Sequence, residues 1–291
     1  MGVRLDTVSL QVPSALSPSK VASFTHCGLA FRFSSIDRIY EPPSIHTTKG
    51  TVVHRCLERL FYDFPAGGRS REVALEQIPL VRVEFADDPE YVELNLSADD
   101  EALFWDDVAV LVLNLFRLED PNDVKVLGTE LRLEADLGGV VVRGVIDRLE
   151  LAADGALVVT DYKTGAAPRV QFEAKRLAGV HFYAAMCEAT IGRRPDRIQL
   201  LHLREPEAII TVPTDQSVRG LKIRTNAVWK AIETACERDD FRPNPGPLCS
   251  WCAFQQWCPV FGGDPAAAPR VTRDPDPAFD DPAEGTVAIA V

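Results

Sequence analysis

Residues Gly144-Val-Ile-Asp147-Arg-Leu-Glu150 and, after a short break, Leu157-Val-Val-Thr-Asp161-Tyr162-Lys163-Thr-Gly165 decide how this chain is read. Both are short apolar runs bounded by turn residues, so each reads as a strand, and Ala153, Asp154 and Gly155 between them make a hairpin turn. A strand alternates its side chains, so Asp161 and Lys163 share one face while Tyr162 takes the other. The hairpin can set Asp147 opposite the Asp161/Lys163 pair. Two buried neighbouring carboxylates repel unless a cation lies between them, which points to a divalent metal and a polarised water. The same residues also describe a solvated hairpin with a D-x-K ion pair, which contributes little.

Upstream, Ser17-Pro18 reads as an N-cap and first helical proline, opening a helix that stops at Gly28 with Cys27 at its end. Leu29 to Phe33 is apolar and basic, suited to packing that helix end against the body. After Pro42-Pro43 a second helix places His54, Leu57, Glu58 and Phe61 on one stripe. His54 then faces inward, as a hydrogen-bonded core residue or as a metal ligand or proton acceptor. Residues 65–96 read as irregular. Ser97 caps a helix to about Leu118 with Leu103, Phe104, Val108, Leu111, Val112 and Leu115 inward. The strand from Lys125 to Ala135 alternates, presenting Glu130, Arg132 and Glu134 on one face, so Glu130 is a further candidate carboxylate or part of a solvated charged row.

Downstream, a helix of about twenty residues follows Gly165. Arg169, Lys175 and Arg176, with Arg193, Arg194 and Arg197, form the most basic part of the sequence, either a solvated face or a polyanion contact. Strands at 197–203 and 208–212 and a helix from Thr214 or Asp215 to Arg238 complete an α/β fold, a mixed sheet flanked by helices. The expected organisation is a flexible N-terminus over 1–16, a single domain over 17–263, and a disordered acidic Pro/Ala-rich tail over 264–291.

The formal net charge of −12 excludes an indiscriminate polyanion binder, and the tail supplies part of it, with six acids against two arginines. Nucleic-acid binding would have to use a local groove. The longest apolar run, Val108 to Leu113, is too short to span a bilayer, and the start lacks a signal-peptide core. The expectation is a cytoplasmic protein with no membrane contact. Of seven cysteines, Cys249, Cys252 and Cys258 form C-x2-C-x5-C, one ligand short of a closed tetrahedral site. Cys27 is best suited by character to be the fourth. Zinc is the default for C-x2-C, and a cubane iron-sulfur cluster suits the lone motif, with its following proline and intervening aromatics, at least as well.

Together S-P-S-K-V-x-x-F-x-x-C, G-T-V-V-H-x-x-L-E, G-V-I-D-R-L-E, D-Y-K-T-G and the terminal cysteine motif resemble the RecB-type nucleases of the PD-(D/E)xK superfamily. They are most similar to the iron-sulfur branch, which includes AddB-type nuclease domains and CRISPR-adaptation nucleases. The resemblance runs from about Ser17 to Pro259. It implies a restriction-endonuclease-like core, Mg2+ or Mn2+ held by His54, Asp147, Asp161 and the Tyr162 carbonyl, Lys163 as catalytic lysine, and Glu130 as an added site acid. It further implies a [4Fe-4S] cluster on Cys27, Cys249, Cys252 and Cys258, with Tyr183, Arg169, Lys175 and Arg176 toward the substrate. The implied activity is hydrolysis of DNA, as an exonuclease on single strands or ends in repair or recombination, with a helicase or repair partner. The family's Q-x-x-x-Y motif is incomplete, with Gly179 in place of the glutamine, and Cys27-Gly28 replaces a cysteine-proline pair. The missing glutamine leaves a catalytically weak or inactive DNA-binding scaffold on the same fold as the alternative.

Overall fold

The computed structural model of the chain describes residues 10–167 and 170–270, with side chains described for all of these except 170–178. In chain order the elements are α1 (Pro18–His26), α2 (Gly28–Phe31), α3 (Ile45–Asp63), α4 (Arg71–Phe85), α5 (Pro89–Glu93), α6 (Ala98–Asn114), β1 (Lys125–Asp136), β2 (Val141–Leu151), β3 (Leu157–Lys163), α7 (Val170–Thr190), β4 (Arg197–His202), β5 (Glu207–Thr211) and α8 (Asp215–Arg238). The five strands form one sheet in the order β1-β2-β3-β4-β5. The β2–β3 and β4–β5 pairs are antiparallel, whereas β3 and β4 run parallel, which requires the crossover that α7 provides. The α/β class with a mixed sheet flanked by helices is therefore the observed one.

The chain divides into two compact units. One comprises residues 42–133 and 144–218, and the other, within the described chain, residues 10–41, 134–143 and 219–270.

The first unit is built on β3, whose residues Leu157 to Tyr162 are all buried, as a central strand covered on both faces must be. Its turn from β2 forms as expected: Ala152 N–H donates to Ala156 O at 2.9 Å, and Gly155 takes φ +78°. Against one face lie α3, α4 and α6, with Leu57, Leu60, Val108, Leu111, Tyr162 and Leu201 in one buried cluster. α3 begins in a capping box, Ser44 Oγ accepting from Thr47 N–H while Thr47 Oγ1 accepts from Ser44 N–H. In α6 the inward stripe departs from the expected one at Leu103: Trp105 is buried at 6% exposure and Leu103 lies outside at 66%. Residues 65–96, expected to be irregular, contain α4 and α5. Pro79 reads as a breaker but sits inside α4, and only Ala74, Gln77 and Val81 of that helix are buried, too few for a clear period. The start signal was Ser70, whose hydroxyl accepts from Val73 N–H.

The second unit gathers segments from both ends of the chain. Leu16 N–H donates to Val141 O at 2.9 Å and Arg143 N–H to Leu16 O at 2.8 Å, and Leu10, Ala15 and Leu16 are buried, so the stretch expected to be flexible is anchored before α1. Phe33 packs its ring on Phe254 and Trp257, at 5.5 and 6.1 Å between centroids, which is the role expected of the Leu29–Phe33 segment. β1 and β2 are joined through Gly138 and Gly139, both with positive φ, and Asp136 Oδ1 accepts from both glycine N–H groups. Of the tail, residues 271–291 lie outside the described chain, while Arg270 reaches Asp37 and Asp239 at 3.9 Å.

On the sheet face opposite the α3 cluster, Gly144 admits α7: a Cβ there would stand 2.8 Å from Met186 Cε and 3.9 Å from a Tyr183 ring carbon. Gly144→Val is expected to destabilise the protein by about 1–3 kcal/mol through overpacking. Urea denaturation checks this, and an unchanged midpoint contradicts the close approach.

Candidate active site

The paired register of β2 and β3 runs from Leu151↔Leu157 to Arg148↔Thr160. Immediately beyond it stand Asp147 and Asp161, and the Asp147 carboxylate, in place of a strand carbonyl, accepts the Tyr162 N–H at 2.7 Å. The sheet is thus opened by a carboxylate at the end of the hairpin. α3 supplies His54, whose Nε2 lies 3.2 Å from the Tyr162 carbonyl and whose ring meets the Tyr162 ring edge-on at 5.8 Å. Because a carbonyl only accepts, Nε2 carries the proton and Nδ1 is left facing Asp147 Oδ2 at 3.5 Å and Glu130 Oε1 at 3.8 Å.

Glu130 arrives by a local break in β1. Its φ is +45°, the left-handed region, while from Leu131 to Ala135 burial alternates regularly with Arg132 and Glu134 outside. The expected single face of Glu130, Arg132 and Glu134 therefore fails at its first member, because the positive φ interrupts the alternation there. Such a conformation in a non-glycine residue costs about 1–3 kcal/mol and persists where surroundings impose it.

On β3, Lys163 Nζ pairs with Asp161 Oδ2 at 2.5 Å, and from α7 the Tyr183 hydroxyl donates to Asp161 Oδ1 at 3.0 Å. Burial, with the carboxylates of Asp161 and Asp147, holds the Tyr183 phenol well above its ordinary pKa, so it remains a neutral donor. Seven of the expected residues thus converge: His54, Glu130, Asp147, Asp161, Tyr162, Lys163 and Tyr183. Arg169 and the side chains of Lys175 and Arg176 lie outside the described residues.

Among the described residues, His54, Glu130 and Asp147 each offer one ligand atom, and the three atoms lie within 4.8 Å of one another. That spacing lets a single divalent cation reach all three. The electrostatics agree. Burial opposes charge on the His54 ring, but the Glu130, Asp147 and Asp161 carboxylates outweigh it and raise its pKa to about 9. Burial pushes Asp147 up to about 7, with Asp161 and Glu130 adding to the rise and the His54 charge opposing it. The cluster holds surplus negative charge that it relieves by binding protons, and a cation would relieve it equally. The Tyr162 carbonyl has a second lone pair, so bonding His54 is compatible with the expected coordination.

In the second unit the four expected cluster cysteines are half-buried and free of disulfides. Cys27 Sγ accepts from Asn244 N–H at 3.5 Å, across 217 positions of sequence, and Cys249 Sγ accepts from Gly246 N–H at 3.3 Å. Burial raises the Cys252 thiol, a backbone hydrogen bond from Phe254 lowers it, and Cys27, Cys258 and Cys249 add to the rise. Of the aromatic residues between them, Phe254 is buried and Trp251 is 86% exposed.

Sequence reasoning missed Arg148 and Glu119. Arg148 adjoins Asp147 in the motif and alternation turns it to the opposite face, but nothing in the sequence near Glu119 marks it as the partner.

A family model of the PD-(D/E)XK nuclease superfamily matches residues 15–259, and the chain belongs to that superfamily. Its relatives include the Gene 69 proteins of Mycobacterium phages L5 and D29. They are 24% identical over 291 residues and 25% identical over 274, each alignment covering 84% of this chain and 96% of the phage protein. A crystal structure from Eubacterium rectale, described as a candidate exonuclease, shares the fold with TM-score 0.51 at 12% identity, covering 93% of both chains. No helix among the described residues is long and apolar enough to cross a membrane.

A bound cation needs Nδ1 of His54 and the Asp147 carboxylate free of protons, so binding releases protons. Mn2+ affinity is therefore expected to rise with pH through the window from about 7 to about 9 set by these two groups. Calorimetry across that range, in buffers of different ionisation enthalpy, checks it; an affinity independent of pH contradicts it.

Proposed function

We propose that this chain is a Mg2+- or Mn2+-dependent DNA nuclease of the RecB type, acting as an exonuclease on single strands or DNA ends in repair or recombination. The observation that carries the reading is the convergence of His54, Glu130 and Asp147 within 4.8 Å, beside the Asp161–Lys163 pair at 2.5 Å. A divalent cation at such a site supplies a water of lowered pKa and neutralises charge on the phosphate. His54 Nδ1, Asp147 and Asp161 hold the ion, Glu130 adds a carboxylate, and the Tyr162 carbonyl orients His54 while coordinating with its second lone pair. Lys163, anchored by Asp161 and 41% exposed, presents its ammonium to the reacting phosphate. Tyr183 fixes the other oxygen of Asp161. Arg169, Lys175 and Arg176 are the proposed contacts to the DNA backbone. A chain of net charge −12 would need such a local set of basic residues to meet DNA.

The nuclease domain in this reading spans 17–263, in a cytoplasmic protein that works beside a helicase or repair partner. Cys27, Cys249, Cys252 and Cys258 hold a [4Fe-4S] cluster of structural role. Backbone N–H groups on two of the sulfurs support this, since such bonds to cluster sulfurs are one of the levers that tune these centres. A catalytically weak scaffold is the second reading, favoured by Gly179, which stands where the family's glutamine would fall.

Two outcomes test these assignments. Asp161→Ala and Lys163→Ala should each lower Mn2+-dependent cleavage of linear single-stranded DNA by about 10²–10⁴-fold. Wild-type cleavage in both variants excludes the site, and uncut DNA under either metal with the native chain favours the scaffold. Anaerobically purified protein should be brown with stoichiometric iron, and Cys27→Ser should lose it; a colourless sample holding zinc replaces the cluster with a zinc site.

A further inference from the structure

Arg148 follows Asp147 on β2 and so faces the other side of the sheet. It is the largest fully buried side chain among the described residues, at 0% exposure. Glu119, past the end of α6, takes its guanidinium in both hands: Nη1 donates to Oε1 at 2.6 Å and Nη2 to Oε2 at 2.8 Å. Nε donates to Glu150, Nη2 also reaches Thr160 Oγ1 at 3.3 Å, and the guanidinium carbon lies 4.3 Å above the Phe61 ring. An arginine enclosed in this way has one available position, because its fork is planar and each edge is taken.

A buried ion pair is poor evidence for stability, since desolvation offsets much of its attraction. What this one reaches is more informative. Arg148 Nη1 also donates to the Tyr162 hydroxyl at 2.9 Å. Tyr162 is then held at both ends. Its phenol is fixed to the Arg148–Glu119 pair on one face of the sheet. Its main chain lies among the site residues, with N–H on Asp147 Oδ2 at 2.7 Å and C=O 3.2 Å from His54 Nε2. Phe61, beneath the guanidinium, lies on α3 two turns beyond His54. Two of the three candidate ion ligands therefore meet the main chain of one residue, and the side chain of that same residue is clamped by Arg148.

We propose that Arg148, fixed by Glu119, is a positioning residue for the ion site, acting through the Tyr162 phenol on the placement of Asp147 and His54. The inference rests on reading His54, Glu130 and Asp147 as that site. Groups outside the ligand set that orient metal ligands change affinity by about 10–100-fold when removed.

Arg148→Ala would leave Glu119 and Glu150 buried without a partner and is a poor probe. Tyr162→Phe keeps the ring and its contact with His54 and deletes only the hydroxyl, while Glu119→Gln keeps the shape of the clamp and removes its charge. Both full-length variants are titrated with Mn2+ by calorimetry, alongside thermal melts followed by circular dichroism. Tyr162→Phe should bind Mn2+ about tenfold more weakly while still folded at the titration temperature. Glu119→Gln should show a smaller loss in the same direction. The Mn2+ concentration that half-saturates cleavage of single-stranded DNA should rise by the same factor, a shift that a smaller folded fraction does not produce. Native protein that binds Mn2+ together with a Tyr162→Phe variant of equal affinity overturns the inference and leaves the ion site standing. Native protein that binds no Mn2+ removes both.

Discussion

The hydrogen bond from the Tyr162 N–H to the Asp147 carboxylate is the contact on which the rest of the site depends. A strand interior would satisfy that N–H with a neighbouring carbonyl; here an acid does so, at the point where the β2–β3 pairing gives way. Three consequences follow from one substitution of partners. The Asp147 carboxylate is drawn into a buried position, the Tyr162 carbonyl is left facing α3, and Asp161 and Lys163 stand at the end of a strand paired on its other side to β4. His54 then closes the arrangement by donating to that carbonyl. The cost is concentrated charge in a place with little water. Burial and mutual repulsion raise Asp147, and the acids raise His54, so both groups hold their protons more tightly than usual.

Much of this was legible in the sequence because it depends on period two. Alternation alone put Asp161 and Lys163 on one face and Tyr162 on the other, and the turn at Ala153 to Gly155 brought Asp147 opposite them. The membership of His54 came from its place on an apolar helical stripe. Glu130 was legible as a residue type but not as a direction, because a left-handed φ in mid-strand cannot be read from alternation. α4 was hidden by Pro79 and by having few buried positions, even though its cap at Ser70 was in view. The α6 stripe was right at Phe104, Val108, Leu111, Val112 and Leu115 and wrong only at Leu103, since Leu103 and Trp105 are both apolar and only packing separates them. Glu119 could not have been found at all. It has no motif, and its importance comes from the single contact that a folded chain gives it with Arg148.

The acidic balance of the chain also takes on a local meaning. Around the site each carboxylate has a specific answering group: Lys163 and Tyr183 for Asp161, the Tyr162 N–H for Asp147, and the His54 ring for Glu130. Further along α3, Lys49 shares Asp107 with Arg204, whose Nε also reaches the Thr164 carbonyl just after Lys163. Net charge is therefore a poor guide to the local potential, because basic groups sit among these acids.

The division of the chain between its two units has a consequence in time as well as in space. Residues 42–133 and 144–218, with the whole acid cluster, precede the last large segment of the other unit, which begins at residue 219 and includes three of the four cysteines. At roughly 5–20 residues per second on the ribosome, the catalytic half is complete a few seconds before Cys258 is made. Cys27, by contrast, precedes the acid cluster in the chain and waits longest for the segment after residue 219. The hairpin turn at Leu137 to Val140 waits as well, belonging by its contacts to a unit not yet synthesised. A nascent chain thus has the whole acid cluster before Cys249, Cys252 and Cys258 are made, and that order is fixed by connectivity rather than by relative stability.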